Sequence, residues 1–192
     1  MLMFCLTALA CVSLAIGGAV LEPKLLAALL WIIIFFAATV GIDRAFEEEA
    51  AAGTLDTLRI YADAQSILFG KILYALLSLT ALMIFLLPMF IILFDCSIER
   101  LLPLMLTVML GLIGLSGAGT LIAAISSTAS VKSGLFAILL FPIVLPIFLT
   151  AIGLTAATFG GSNFDSSMWI AMTLYDAILI TAASILFDHL WN

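Results

Sequence analysis

Charged residues are scarce in this sequence, and histidine occurs only once. Of its 192 residues 9% are Asp, Glu, Lys or Arg and 66% are hydrophobic, whereas soluble domains carry about 25% charged and about 45–50% apolar residues. Such a chain has too little polar residue to cover the surface of a water-soluble domain. The composition therefore excludes an ordinary soluble domain, and the net charge of −6 argues against nucleic acid as a partner.

The sequence also lacks the patterns of common catalytic and metal sites. A P-loop needs Gly-x-x-x-x-Gly-Lys-Ser/Thr, but the only Gly-Lys pair, Gly70-Lys71, is not followed by Ser or Thr. The single histidine, His189, excludes a His-Glu-x-x-His zinc site and a local Ser-His pair. We interpret it as an interfacial residue, with haem or metal ligation as the alternative. We expect no catalysis, no metal and no ATP hydrolysis by this chain itself.

Long apolar runs are abundant. A helix needs about 20 apolar residues to cross the roughly 30 Å of hydrocarbon, where helices satisfy their own backbone hydrogen bonds. Six runs qualify, which predicts an all-α polytopic membrane protein with one transmembrane domain over residues 1–192. The predicted spans are Leu2–Leu21, Leu25–Ile42, Ile72–Phe94, Leu101–Ile125, Gly134–Thr158 and Met168–Phe187.

The few basic residues predict the orientation of the chain. Lys and Arg in short loops stay on the cytoplasmic side. With both termini inside, the inner loops hold more basic residues than the outer loops, which favours this orientation. The inner residues are Arg44, Arg59, Lys71 and Lys132, and the outer ones are Lys24 and Arg100.

The only long polar interruption is residues 43–71, between the second and third spans, which we call the polar segment. Its first part is rich in helix formers, and Gly53 is placed as a C-cap. Leu55, Leu58 and Tyr61 then recur at three-residue spacing, which is typical of an amphipathic helix at the membrane interface. We expect a helical element docked on a soluble partner, with a solvated loop as the alternative.

Small residues, two prolines and one acid interrupt the apolar spans. The fourth span is rich in Gly, Ala and Ser, which let helices approach closely, with a pathway lining as the alternative. Pro142 and Pro146 predict a kinked or broken fifth span, either structural or a hinge in transport. Asp176, deep in the sixth span, costs on the order of 3 kcal/mol. Asp176 is either protonated or bonded to a hydroxyl inside the bundle, or it takes part in substrate or proton handling. An intramembrane aspartyl protease would need two deep carboxylates, and the sequence has one.

The polar segment resembles the cytoplasmic segment of ABC-2-type exporter permeases. The resemblance rests on Asp43-Arg44-Ala-Phe46-Glu-Glu-Glu-Ala-Ala-Ala-Gly53-Thr54-Leu55-Asp56-Thr57-Leu58 and on the later Gly70-Lys71 pair. It implies a coupling helix that contacts a cytosolic ATPase, with apolar side chains for contact or membrane anchoring and charged ones for docking specificity. The implied coupling residues are Asp43, Arg44, Phe46, Glu47, Glu48, Glu49, Gly53, Leu55, Asp56, Leu58, Tyr61 and Lys71.

More narrowly, nearly the whole chain is similar to the CcmB family, haem exporter protein B. The similarity rests on Leu21-Glu22-Pro23-Lys24-Leu25-Leu26 before a second span with Trp31, and on Leu139-Leu-Phe-Pro142-Ile-Val-Leu-Pro146-Ile-Phe148 in the fifth. It implies an inner-membrane ABC transporter permease subunit of cytochrome c maturation. The implied partners are a CcmA-type ATPase, which uses ATP, and the membrane subunits CcmC and CcmD.

The resemblance also implies that ATP hydrolysis is coupled to release of the haem-loaded chaperone CcmE. The complex handles haem, whereas this chain lacks the tryptophan-rich haem-handling motif of the sister subunit. Permeases of this type need two six-span halves, so a second copy of this chain or another membrane subunit is expected. Two family features are missing here, a basic stretch before the first span and a proline within Ile60–Asp63.

Three other functions are compatible with the residues. A general ABC-2 exporter for a lipid, glycan or drug would share the polar segment. A membrane assembly factor would bind no ATPase. A channel would need a ring-forming charged or carbonyl motif, which the sequence lacks.

Overall fold

Six α-helices account for most of the chain. The computed structural model describes residues 1–43, 46, 53, 61–96, 98–128, 135–161 and 165–191. The helices are α1 (Leu2–Ile16), α2 (Pro23–Ile42), α3 (Ala64–Phe94), α4 (Leu101–Thr128), α5 (Leu135–Phe159) and α6 (Ser167–Trp191). These described ranges contain no strand, which confirms the predicted all-α class.

Five helices, α2 to α6, are long and apolar enough to cross a membrane. α2 begins at Pro23, because a proline at the first helical position has the required φ and no N–H to leave unpaired. α3 begins at Ala64, earlier than the predicted third span, so Lys71 lies inside the helix. Its 31 residues rise about 46 Å, more than the hydrocarbon thickness. The last part of the polar segment is therefore an extension of α3.

α1 is shorter than the predicted first span. It ends at Ile16 after 15 residues, because Gly17 and Gly18 have φ of 61° and 81°, a conformation that only glycine adopts without strain. Fifteen residues rise about 22 Å, less than the hydrocarbon thickness. α1 packs along α2 and α3, but it does not have the length of a complete spanning helix.

Both termini lie at the same end of the bundle as the polar segment. The Met1 side chain contacts Gly41 in the last turn of α2. Trp191 stacks on Phe187 with 5.1 Å between ring centroids, and Phe187 contacts Phe46 of the polar segment. The two termini and the polar segment therefore face the same side of the membrane.

α4 is the central helix, and it packs against α2, α3, α5 and α6. Its glycines permit the close packing with α2, α5 and α6, because side chains of these three helices lie directly on them. The small residues of the fourth span thus serve helix packing, as predicted. The contacts join Gly111 with Trp31, Gly114 with Asp176 and Ile147, Gly117 with Ile180, and Gly119 with Ile42.

α4 and α6 run parallel with a seven-residue repeat of contacts. Trp169 Nε1 donates a hydrogen bond of 2.9 Å to Thr107 Oγ1. Seven residues further along each helix, Asp176 lies on Gly114. A seven-residue repeat keeps one face of a helix on its neighbour. The buried Ala183 lies a further seven residues along α6 and continues this series.

A comparison of two glycine-to-alanine variants tests this packing. A Cβ at Gly111 would collide with the indole of Trp31, whereas a Cβ at Gly153 of α5 meets nothing within 4 Å. The Trp31 ring cannot move aside freely, because its Nε1 donates a 3.1 Å hydrogen bond to Thr155. We expect Gly111→Ala to lower stability by about 1–3 kcal/mol.

Thermal unfolding in detergent measures the difference. Gly153→Ala is the matched control, because both variants make the same change inside a helix, and it should unfold like the unmodified protein. Equal midpoints for the two variants would contradict the packing described for α4.

Candidate functional site

The polar segment meets α3 and α6 at one end of the bundle. Gly53 is exposed and has φ 67°, the left-handed conformation of a C-cap glycine. Tyr61 is helical and 84% exposed, so its ring is available to a partner or to lipid. Asp43 ends α2 as its C-cap residue. Seven of the predicted coupling residues lie outside the described residues: Arg44, Glu47, Glu48, Glu49, Leu55, Asp56 and Leu58.

Phe46 anchors the polar segment to the bundle. Its side chain is fully buried, and its ring centroid lies 6.1 Å from that of Phe187 in α6. Lys71 Nζ of α3 lies 5.1 Å from the Phe46 centroid, where the negative face of the ring attracts a cation. The chain therefore returns to the bundle shortly after α2 ends, and Phe46 contacts this protein's own helices.

A pair of hydrogen bonds joins α3 to α6 at the same end. Ser184 Oγ donates to Gln65 Oε1 at 2.7 Å, and Gln65 Nε2 donates to the Ser184 carbonyl at 3.2 Å. Both side chains are half-buried, where breaking such bonds leaves polar atoms unsatisfied. The first turn of α3 is thus held on α6, one turn from Phe187.

The motif of the polar segment indicated Phe46 and Lys71, but not their neighbours on α6. A signal for those neighbours was present, since Ser184, Phe187 and Trp191 are spaced three and four residues apart and share one helix face. The spacing alone does not show which residues pack on that face of α6. Only the folded chain brings Phe46 to it.

Asp176 lies in the interior of the bundle without a hydrogen bond. Its side chain is 3% exposed, and neither carboxyl oxygen has a partner. Oδ1 lies over Gly114 of α4, next to Ile147 of α5. The hydrogen bond to a hydroxyl that the sequence suggested is not formed.

The helices that Asp176 touches offer it no ionisable neighbour. α4 and α5 contain no Asp, Glu, Lys, Arg, His, Cys or Tyr. The adjacent Tyr175 directs its hydroxyl to the Ile143 carbonyl of α5 at 2.8 Å. An ionised carboxylate buried without a counter-charge costs several kcal/mol, so this site accommodates the neutral carboxyl group.

The two prolines lie inside α5, which is one continuous helix, so of the predicted kink or break the break does not occur. Each proline still leaves a carbonyl one turn earlier without its usual donor. Between Pro142 and Pro146, the Ile143 carbonyl accepts the hydrogen bond from Tyr175. The proline region of α5 is therefore tied to α6 beside Asp176.

The opposite end of the bundle contains a cavity of about 350 Å³, lined by Ser13, Asp95, Cys96 and mostly apolar side chains. Burial, and secondly the charge of Asp95, raise the pKa of the Cys96 thiol, and a protonated thiol is a poor metal ligand. Within the described ranges, no three His, Cys, Asp or Glu side chains come close enough to bind one metal ion.

Four long apolar helices packed around a fifth, the glycine-rich α4, make this a polytopic membrane protein, and the arrangement is consistent with a permease. The profile of the CcmB protein family matches residues 1–187. The chain belongs to the CcmB family, as its motifs predicted, and is thus an ABC transporter permease subunit for haem export in cytochrome c biogenesis. Searches of curated proteins and of solved structures found no match.

Substitution of Asp176 tests whether its carboxyl group is neutral. Asn is nearly isosteric with a protonated carboxyl group, so Asp176→Asn should change stability by less than about 1 kcal/mol. Asp176→Lys adds a charge at a 3% exposed position and should prevent accumulation of folded protein. His189→Lys, at an exposed position in the last turn of the same helix, is the control and should be tolerated.

Infrared spectroscopy gives a direct readout of the same group. The unmodified protein should show a protonated-carboxyl carbonyl band that Asp176→Asn lacks. A band that is absent from both proteins, or a strong loss of stability in Asp176→Asn, would mean that Asp176 is ionised.

Proposed function

We propose that this permease subunit couples ATP hydrolysis by a CcmA-type ATPase to release of the haem-loaded chaperone CcmE. Membership of the CcmB family supports the class of function. The observation that carries the coupling is the attachment of the polar segment to the bundle. Phe46 is buried and contacts Lys71 of α3 and Phe187 of α6, so a force on the segment reaches α6 as well as the two helices that flank the segment.

The polar segment is the docking element in this proposal. Leu55 and Leu58 supply apolar contact, and the exposed Tyr61 adds to the same surface. The charged residues of the segment set docking specificity, because complementary charges select among partners. The charged residues are Asp43, Arg44, Glu47, Glu48, Glu49 and Asp56.

Coupling requires two arrangements of the helices that the ATPase distinguishes energetically. Pro142 and Pro146 make α5 the helix best suited to bend between them. Asp176 lies beside that helix without a bonded partner, so it adapts to a new arrangement without breaking a hydrogen bond. These three residues are the proposed hinge and pathway residues.

The complex places the chain in the inner membrane, with both termini and the polar segment in the cytoplasm. CcmC and CcmD are its membrane partners, and a second copy of this chain or another subunit completes the permease. The complex handles haem, and this chain binds neither haem nor ATP itself.

Identification of the partners tests the assignment. The tagged chain is purified from native membranes in mild detergent, and the retained proteins are identified by mass spectrometry. An ATPase together with CcmC-type subunits is expected. An ATPase with other membrane partners would favour a general ABC-2 exporter, and reproducible absence of any ATPase would favour an assembly factor.

Replacing the apolar residues of the segment tests the docking surface. The double variant Leu55→Asp and Leu58→Asp should reduce ATPase retention about tenfold or more, because charges replace apolar contacts at the centre of the interface. Membrane insertion should be unchanged, since neither residue lies in a predicted span.

The variant Leu55→Met and Leu58→Met is the matched control, because it keeps apolar side chains of similar volume. It should retain the ATPase at the level of the unmodified chain. Equal retention by the Asp and Met variants would place the ATPase contact elsewhere.

A further inference from the structure

The polar segment is covalently joined to α2 and α3, and its described residues contact α6 without a covalent connection. Phe46 contacts Phe187, and the first turn of α3 contacts α6 through Gln65 and Ser184. Among the described residues, these contacts let the segment act directly on α6. We propose that Phe187 is a positioning residue for coupling. Its ring holds Phe46 against α6, so that a displacement of the polar segment also displaces α6. This inference rests on the proposed function.

The two rings form a closely packed contact. Phe46 and Phe187 are 0% and 1% exposed, and their planes meet at 39° with centroids 6.1 Å apart. Trp191 stacks on Phe187 with ring centroids 5.1 Å apart and an interplanar angle of 20°, so a third ring packs against this contact. Protein interiors have little free volume, so buried rings in contact move together.

α6 is built to carry a displacement along its length. Its 25 residues include neither proline nor glycine, which are the usual causes of sharp bends. By contrast, α5 contains two prolines. Phe187 lies eleven residues beyond Asp176, about 16 Å along the helix axis.

The other contacts of α6 lie where a displacement would change the bundle. Asp176 lies on Gly114 of α4, and Tyr175 bonds the Ile143 carbonyl between the two prolines of α5. A shift of α6 therefore acts on the central helix and on the helix best suited to bend. These contacts connect the polar segment to the interior without requiring α2 or α3 to deform.

The experiment measures movement of α6 relative to α4 in the complex with its co-purified ATPase. Spin labels are attached at Ile178 of α6 and Met109 of α4, which are 64% and 43% exposed, after replacement of Cys5, Cys11 and Cys96. The label separation is measured by electron–electron resonance, without nucleotide and after trapping with ATP and vanadate. Retained ATPase and ATP turnover are measured on the same samples.

With Phe187 intact, nucleotide trapping should change the label separation. Phe187→Ala should bind the ATPase at the normal ratio, because Phe187 lies outside the docking surface, and the share of complexes that change separation should fall about fivefold or more. Ile185→Ala is the matched control on the same helix, because Ile185 is 62% exposed and faces away from Phe46. It should behave like the unmodified chain.

A full change of separation in Phe187→Ala, or no change in the unmodified complex that has bound its ATPase, would overturn the role of Phe187. If Phe187→Ala does not fold, Phe187→Leu removes the ring contact while keeping an apolar side chain, and the same reduction in a folded protein is required. Absence of the ATPase from the unmodified complex overturns the proposed function and this inference with it, and that outcome is already visible at purification.

Discussion

The close contact of neighbouring side chains with the glycines of α4 is the constraint on which the rest of the bundle depends. Lipid tails are as apolar as leucine, so helices in a bilayer associate through packing and hydrogen bonds and gain little from hydrophobic burial against one another. α4 packs closely on α2, α5 and α6 because Gly111, Gly114, Gly117 and Gly119 present almost no side chain. A bundle with larger residues at these positions would have to separate its helices and lose those contacts.

The same constraint explains how an acid is accommodated deep in the bundle. Asp176 fits because Gly114 leaves space for its carboxyl group. That carboxyl group is neutral, because α4 and α5 contain no charged residue that could pair with it. The adjacent Tyr175 bonds α5, and Trp169, two turns earlier in α6, bonds Thr107 of α4. α6 is thus fixed by directed bonds on both helices, whereas Asp176 adds volume without a bond. The site therefore consists of a helix held by hydrogen bonds on two sides and one polar group, Asp176, that forms none.

The sequence carried the architecture and the family, but not the contacts of the site. Apolar runs predicted the spanning helices because hydropathy reports which residues meet lipid. It reports helix ends less well: α3 begins at Ala64 because residues near the headgroups stay helical, and α1 ends at Ile16 because Gly17 and Gly18 outweigh the apolar residues after them. Asp176 was recognised as unusual from its depth alone. Its place on Gly114 depends on the α4–α6 register, which no local pattern specifies.

The unequal lengths of α1 and α3 have a consequence for the surrounding lipid. α1 is about 8 Å shorter than the hydrocarbon, whereas α3 is longer than it. Bilayers adapt to such hydrophobic mismatch by local thinning, at fractions of a kcal/mol per Å. The flank at α1 therefore compresses the membrane while α3 does not, and the protein presents a step in hydrophobic thickness around its circumference. Lipid chain length thus acts on this protein unevenly, with its strongest effect beside α1.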